Sequence, residues 1–231
     1  SLLAQGIYRR SIAAAGALDI ILAENVRDAA SLLLNELKVS LPDLPVEELA
    51  GLVETSVGKM VPIHTAQQLK EDPLAVCSEP YNSLIVDAKG FRNNLPDVPG
   101  LEPKEHIRAW VDRKLFIHNL GHAALAYHAH SLRPELEYTW QALEVGQIRA
   151  LTRQTMMQSA MILNAIYPSE FSISELSVHT DDLLERFSNR DLGDTIFRVG
   201  CDLTRKLNRD DRLMVPILAG IAREMDVSMI L

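Results

Sequence analysis

A run of helical patterns in the second half of the chain constrains the fold most. From Glu105 onward, the sequence shows one helical pattern after another, with apolar residues at three- and four-residue spacing. An aromatic content of 5% also fits an alanine- and leucine-rich helical core better than a β-sandwich. The sequence therefore predicts a mainly α, multihelical C-terminal domain. Its helices are predicted at about residues 104–131, 134–142, 144–166, 172–187, 191–199 and 209–226.

The first forty residues follow a different pattern, helix–strand–helix. Residues 2–15 have helical composition, and Gly16 ends the run as a C-terminal glycine does. The short apolar segment 18–23 predicts a buried strand, and Val26–Lys38 again has one apolar helical face. This succession is typical of one unit of an α/β sheet.

A single buried strand needs partners, because its backbone groups must be hydrogen-bonded. The best candidates are residues 57–63 and 82–88, in a proline-rich region that predicts only a few short strands. Two possibilities follow: these strands form a small mixed sheet with the first one, or the first strand is the edge of a sheet encoded upstream. The first residue, Ser1, is not methionine and so favours the second possibility. We expect the chain to be the C-terminal portion of a longer protein or a trimmed piece of one.

Composition excludes several classes of protein. The chain has 23 basic and 31 acidic residues, a formal charge of -8, so no nucleic-acid partner is expected. Its two cysteines, Cys77 and Cys201, cannot form a disulfide scaffold and are expected to be reduced. No apolar run reaches the ~18–20 residues of a membrane span, and the start lacks the layout of a signal peptide. The sequence predicts a cytoplasmic protein without a membrane partner.

The candidate site is a polar cluster inside an apolar helix, residues 114–123 (KLFIHNLGHA). At ~100° per residue, Lys114, His118, Asn119 and His122 share one arc of roughly 140°. Gly121 leaves the backbone bare where another group can approach closely.

This combination suits alcohol and ketone chemistry without a metal. A desolvated lysine can act as a general base, and an amide or imidazole N–H can stabilise an alkoxide. Two alternatives remain open at this point. The arc can be a solvated helix face, or His118 and His122 can bind a metal, although the sequence shows no third ligand.

The polar cluster resembles the signature helix of the long-chain mannitol dehydrogenase family, and within it the mannitol-1-phosphate 5-dehydrogenase branch. That branch has the pattern K-L-F-x-x-N-x-G-H-A, matched here from Lys114 to Ala123. Further stretches resemble the family in the same order along the chain: residues 18–33, 73–87, 186–200 (RFSNRDLGDTIFRVG) and 211–216 (DRLMVP). The resemblance implies a nicotinamide-dependent, metal-free polyol dehydrogenase with an N-terminal Rossmann domain and a mostly helical substrate domain.

The resemblance also implies roles for individual residues. Lys114 corresponds to the family's general base or acid, and His122 to the histidine that orients the substrate hydroxyl. Asn119 and Asn25 correspond to the two asparagines that hold the developing alkoxide. His118 has no family counterpart and is expected to be only a neighbour of the site.

Two further residues are predicted to bind substrate, by analogy with the family stretch R-F-x-N. Arg186 and Asn189 then contact a phosphate or hydroxyl groups. The alternative is a surface arginine and an asparagine that caps a helix.

The sequence departs from the family in three ways. Arg190 stands where the family has proline after Asn189. Gly58 stands where the family often has an aspartate that contacts substrate hydroxyls, and the glycine-rich turn G-x-G-x-x-G is absent. We therefore expect residues 1–38 to be the last helix–strand–helix piece of a Rossmann-type α/β domain and residues 39–231 to be the helical substrate domain. NAD is then bound mainly by an upstream domain absent from this chain.

The expected activity is hydride transfer between NAD(H) and a polyol or polyol phosphate, with mannitol 1-phosphate and fructose 6-phosphate as the first candidates. The alternatives are a free mannitol 2-dehydrogenase, a hexuronate reductase, or a non-catalytic helical interaction domain that kept the fold. The resemblance favours a monomer.

Overall fold

The structure is a computed structural model that describes residues 1–24, 26–62 and 66–231. Contacts within the described residues divide the chain into two units. The first unit comprises Ser1–Gly58 and Tyr81–Val111, and the second comprises Lys59–Pro80 and Asp112–Leu231. Each unit is described by itself below.

The first unit contains a four-stranded mixed sheet. Its strands, which lie side by side in chain order, are β1 (Leu18–Leu22), β2 (Ala50–Val57), β3 (Leu84–Asp87) and β4 (Leu101–Lys104). The β1–β2 and β3–β4 pairs are parallel, and β2 and β3 are antiparallel. Val53, Ile85 and Val86 are buried, so the two central strands carry the apolar centre of this sheet.

Three helices belong entirely to the first unit: α1 (Leu2–Ile12), α2 (Ala29–Ser40) and α3 (Val46–Leu49). The Ser1 side chain caps α1 by accepting a hydrogen bond from the amide of Ala4. Ile7 of α1, Leu37 of α2 and Val46 of α3 are buried in one apolar cluster with the start of β2. The cluster buries the apolar faces of the helices and so holds them together.

The helix–strand–helix pattern at the start and the strand at 82–88 agree with α1, β1, α2 and β3. The strand predicted at 57–63 was wrong over residues 58–62, because β2 ends at Val57, and residue 63 lies outside the described residues. The real strand is hidden by polar residues that find partners in the fold. Thr55 donates a 2.7 Å hydrogen bond to the Leu22 carbonyl, and Glu54 accepts one from the amide of Asp28.

The division of the chain into two units also differs from the predicted boundary after residue 38. Strands β2, β3 and β4 belong to the same sheet as β1. The first unit therefore includes the residues up to Gly58 and those from Tyr81 to Val111.

The second unit is helical. The helices from α4 onward are α4 (Ala66–Glu71), α5 (Ile107–Arg113), α6 (Leu120–Leu132), α7 (Thr139–Glu144), α8 (Gly146–Ile166), α9 (Ile173–Phe187), α10 (Ile196–Gly200), α11 (Leu203–Lys206) and α12 (Met214–Ile221). These helices lie in the second unit, except that the first part of α5, up to Val111, belongs to the first unit. The prediction of a helix-rich chain from Glu105 onward is confirmed, and α11 is an additional short helix. Among the described residues, no helix combines the length and the apolar composition that crossing a bilayer requires.

Gly51 in β2 provides a test of the close packing in the first unit. A Cβ at Gly51 would lie 2.6 Å from the backbone oxygen of Gly90 and would collide with the Asp19 carboxylate. Backbone atoms cannot move aside cheaply, so we expect Gly51→Ala to lower the free energy of unfolding by at least ~1–3 kcal/mol. Urea denaturation followed by circular dichroism measures this change.

Gly6→Ala is the matched control. Gly6 lies inside α1, and a Cβ there meets no atom within 4 Å. We expect this change to stabilise the protein by up to ~1 kcal/mol, because alanine favours the helix. Equal effects of the two substitutions would contradict the packing of β2.

Candidate functional site

The polar cluster lies where α5 passes into α6 through a π-helical turn, Lys114–Asn119. In a π-helix each amide bonds to a carbonyl five residues back, so residues five apart lie closer to one another around the axis than in an α-helix. Lys114 and Asn119 are five apart and therefore share one side of this turn. A regular α-helix at ~100° per residue would place them about 140° apart. His122 follows Asn119 by three residues in α6, which keeps it on the neighbouring face.

Contacts with α8 hold this turn in place. Phe116 and Ile117 are buried, and the Ser159 hydroxyl donates a 2.7 Å hydrogen bond to the Phe116 carbonyl. A Cβ at Gly121 would lie 2.6 Å from the sulfur of Met156, which is itself buried. The group that approaches the bare backbone of Gly121 is therefore a core methionine.

Lys114 is partly buried on this turn. Burial, with the nearby positive charges of Arg212 and Arg186, lowers the pKa of Lys114 to about 8. Both effects disfavour the ammonium form. A sizeable fraction of the amine is therefore neutral near physiological pH, and this is the form that accepts a proton.

His122 lies between an aromatic ring and a carboxylate. Its ring stacks on Phe187, with ring centroids 4.7 Å apart and planes 12° apart. Its Nε2 lies 3.2 Å from Oδ2 of Asp194, and the other carboxylate oxygen of Asp194 pairs with Arg198. Only 19% of the His122 side chain is exposed, so the imidazole is held on several sides.

Burial is also the main cause of the protonation state of His122. Together with the positive charges of Arg198, Arg212 and Lys206, it lowers the pKa of His122 to about 3. A nearby carboxylate normally raises the pKa of histidine, but Arg198 compensates the charge of Asp194. The imidazole is therefore neutral at physiological pH, with one nitrogen that donates and one that accepts.

Two more histidines lie in this part of the second unit. His118 is buried, with its ring edge-on to Phe187, and burial followed by the charges of Lys114 and other neighbours lowers its pKa well below the usual value. His179 of α9 has its pKa lowered to about 3 by burial and by Arg113 and Arg186. Sequence reasoning missed His179, although its seven-residue spacing from Arg186 places both on one face of α9.

Arg186 forms a bidentate ion pair with Glu79. Its Nε donates to Oε2 at 2.9 Å and its Nη2 donates to Oε1, while the same Oε1 accepts from the amide of Met60 at 2.6 Å. The two side chains are 11% and 3% exposed. The predicted substrate contact is thus anchored by a carboxylate, and its positive charge still acts on Lys114.

Asn189 caps a short 3₁₀ turn, Arg190–Leu192, by accepting a 3.0 Å hydrogen bond from the amide of Asp191. It also lines a cavity of about 590 Å³ in the second unit, together with Glu79 and Gly193. The substrate contacts predicted for Arg186 and Asn189 stay predictions.

Arg190 stands where the family has proline, and its side chain is exposed. Its guanidinium lies 4.3 Å from the centre of the Trp140 ring and pairs with Glu144 at 2.7 Å. The contacts of Arg190 are therefore those of a surface residue.

Asn25 lies outside the described residues, so its predicted role stays a prediction. Within the described ranges, no group of three or more histidine, cysteine, aspartate or glutamate residues is arranged to hold a metal ion.

Two family models together match almost the whole chain. The model of the mannitol dehydrogenase Rossmann domain matches residues 1–100, and that of the mannitol dehydrogenase C-terminal domain matches residues 106–231. The two matches follow one another in the order that the resemblance predicts. The Rossmann-domain match ends at residue 100, well after the predicted boundary at residue 38.

Solved structures share this fold at low sequence identity. A D-sorbitol dehydrogenase in substrate-free form matches with a TM-score of 0.78 and 19% identity. A Pseudomonas fluorescens mannitol 2-dehydrogenase in ternary complex with NAD and D-mannitol matches with a TM-score of 0.71 and 17% identity. Each match covers 98% of this chain and 48% of the other, so this chain spans about half the length of these relatives.

A dimeric ketopantoate reductase from Staphylococcus aureus is similar at a TM-score of 0.51 and 13% identity. That match covers 92% of this chain and 73% of the other. At these identities the structural matches establish the fold.

The buried Glu79–Arg186 pair provides a test of the second unit. Glu79→Gln removes the buried partner charge of Arg186, and the exposed carboxylate of Asp182, 3.6 Å away, compensates the guanidinium less well. We therefore expect the free energy of unfolding to fall by up to ~3–5 kcal/mol. Thermal and urea unfolding measure the loss.

Glu144→Gln is the matched control, because it breaks the exposed pair with Arg190, whose side chains are 60% and 67% exposed. We expect a loss of only ~0–1 kcal/mol. A Glu79→Gln protein as stable as the control would show that Glu79 does not anchor Arg186.

Proposed function

The chain belongs to the mannitol dehydrogenase family, and from this premise we propose that it is the substrate-binding part of an enzyme that transfers a hydride between NAD(H) and a polyol or polyol phosphate. The observation that carries the proposal is the state of Lys114. A partly buried amine with a pKa of about 8 stands on a π-helical turn, as a general base for alcohol oxidation requires.

Lys114 moves the proton of the reaction. In oxidation, its neutral Nζ takes the hydroxyl proton while the carbinol carbon gives up its hydride, so the alcohol loses two electrons and becomes a ketone. In reduction, the ammonium returns the proton to the new alkoxide. The charges of Arg186 and Arg212 make the ammonium a better proton donor, because they lower its pKa.

Asn119 and His122 take the positioning roles in this proposal. The Asn119 amide donates a hydrogen bond to the developing alkoxide, and the neutral His122 orients the hydroxyl. Asn25 has the same role as Asn119 by resemblance alone, because it lies outside the described residues.

The residues of this chain do not fit the pyrophosphate of NAD by themselves. The glycine-rich turn G-x-G-x-x-G, which provides backbone amides for that group, is absent from the sequence. The proposal therefore assigns the nucleotide mainly to another part of the protein and gives this chain the substrate groups and the proton.

We propose a phosphorylated polyol such as mannitol 1-phosphate as the substrate. Two guanidinium groups, those of Arg186 and Arg212, act electrostatically on Lys114 and favour an anion.

The substrate test compares fructose 6-phosphate, fructose and a keto-uronate as oxidants of NADH, using the enzyme that contains this chain. We expect a much higher kcat/KM with the phosphate. We also expect Arg212→Gln to lower kcat/KM for fructose 6-phosphate more than for fructose.

Arg190→Gln is the matched control, because that side chain is exposed and bound to Trp140 and Glu144. Equal activity on fructose, or preference for the keto-uronate, would favour a free mannitol dehydrogenase or a hexuronate reductase. No turnover of any of the three would favour a non-catalytic domain.

The role of Lys114 has its own test. We expect Lys114→Ala to reduce turnover by ~10²–10⁴-fold, as loss of a general base does. Polyol oxidation by the unaltered enzyme is expected to rise with pH through a limb near 8, where Lys114 loses its proton. Arg212→Gln raises the pKa of Lys114 and moves that limb to higher pH. Lys89→Ala, an exposed lysine, is the control, and near-full activity of Lys114→Ala would refute the role.

A further inference from the structure

Asp194 is a buried carboxylate that joins the predicted orienting histidine to an arginine. Its side chain is only 9% exposed. One oxygen, Oδ2, lies 3.2 Å from Nε2 of His122, and the other, Oδ1, pairs with Arg198. Among the described residues, Nε2 has no partner in regular hydrogen-bond geometry, so its contact with Oδ2 is a contact of charge. The position of Asp194 beside His122 is not visible in the spacing of the sequence, because 72 residues separate the two.

The backbone of Asp194 is fixed from α7. Its carbonyl accepts a 3.0 Å hydrogen bond from the Thr139 amide and a 3.3 Å hydrogen bond from the Thr139 hydroxyl. Gly193 precedes it at φ +61°, a left-handed conformation that favours glycine. These contacts hold the carboxylate at a fixed point, with little freedom to turn away from His122.

The arrangement selects one tautomer of the imidazole. The negative charge of an ionised carboxylate favours a proton on the ring nitrogen nearest to it, which is Nε2. Phe187 stacks on the ring and limits its rotation. The lone pair of the neutral ring is then on Nδ1.

Charges around His122 come from several elements. Arg198 lies on α10, Lys206 on α11, and Arg212 just before α12, and these cations oppose protonation of the ring together with burial. His118 lies one turn earlier and is itself buried. Asp194 is the anion that faces the ring, and its pairing with Arg198 compensates its charge.

We propose that Asp194 is a positioning residue that holds His122 as its neutral Nε2–H tautomer, and that Arg198 prevents the carboxylate from drawing a second proton onto the ring. Nδ1 is then the only ring nitrogen able to accept a hydrogen bond, as orienting a substrate hydroxyl requires. The last step rests on the proposed function, whereas the tautomer and the charge state do not.

The first experiment is ¹⁵N NMR of the imidazole rings in the 231-residue chain, with the His122 signals assigned by their loss in His122→Gln. We expect Nε2 to carry the proton. In Asp194→Asn, Arg198 still requires an acceptor, so the amide oxygen faces Arg198 and the amide NH₂ faces Nε2. We therefore expect the ring proton to move to Nδ1, as two exchanged ¹⁵N shifts report.

Arg198→Gln tests the same contact from the opposite side. It leaves the carboxylate of Asp194 uncompensated, so we expect the pKa of His122 to rise towards its usual range in an NMR titration. Arg198→Lys restores the positive charge and is expected to restore the low pKa. Asp202→Asn, which removes an exposed aspartate paired with Arg205, is the control and is expected to change neither tautomer nor pKa.

Melting temperatures separate positioning from mere structural support. A change that only loosens the fold would lower the melting temperature without the specific signal expected of each variant, which is the exchanged ¹⁵N shifts in Asp194→Asn and the raised His122 pKa in Arg198→Gln. An unchanged tautomer in folded Asp194→Asn would overturn the proposal, as would an unchanged His122 pKa in Arg198→Gln. If Asp194→Asn does not fold, the Arg198 variants carry the test by themselves.

Activity of the enzyme that contains this chain gives the functional readout. We expect Asp194→Asn to lower kcat at least tenfold with a smaller effect on KM, because ground-state contacts remain. Loss of kcat in Asp202→Asn as well would overturn that assignment. If no polyol is turned over by the unaltered enzyme while the NMR results hold, the proposed function fails and the Asp194–His122 contact stands.

Discussion

The π-helical turn between α5 and α6 is the constraint on which the site depends. A π turn contains more residues than an α turn and is seldom stable without support, so neighbouring groups must compensate its altered hydrogen bonds. The Ser159 hydroxyl provides such support by donating a hydrogen bond to the Phe116 carbonyl. Gly121, which has no side chain, lets Met156 of α8 pack closely against α6. A regular helix would satisfy the backbone equally well. It would also turn Asn119 away from Lys114, so the local irregularity determines which polar groups share a face.

Electrostatics in the second unit follows a common arrangement of arginines and carboxylates. Each arginine that acts on the polar cluster is held by an acidic residue: the pairs are Arg186 with Glu79, Arg198 with Asp194, and Arg212 with Asp211. The carboxylates fix where the positive charges lie and offset part of their desolvation. The arginines in turn keep nearby bases neutral. A low-dielectric surrounding strengthens both effects, which is why the amine of Lys114 and the imidazole of His122 respond so strongly.

Sequence patterns predicted what depends on local periodicity and failed where tertiary partners decide. The helices after Glu105 follow from apolar spacing, and the polar cluster was found because its residues are close in sequence. The π turn was not predicted, because a helical wheel assumes the same angle per residue along the whole helix. Strand β2 was hidden because its polar residues are satisfied by distant groups. Glu79 binds Arg186 across 107 residues of chain, a pairing that no spacing rule selects.

The two units are not successive segments of the chain, and this limits how the protein can be dissected. The backbone passes from one unit to the other after Gly58, after Pro80 and again after Val111. A fragment that starts at Asp112 keeps most of the helices and the polar cluster, but it lacks the segment Lys59–Pro80, which contains Glu79. Such a fragment would contain a buried arginine with no counter-charge from that segment. The second unit is therefore complete only in a chain that contains both of its segments, Lys59–Pro80 and Asp112–Leu231.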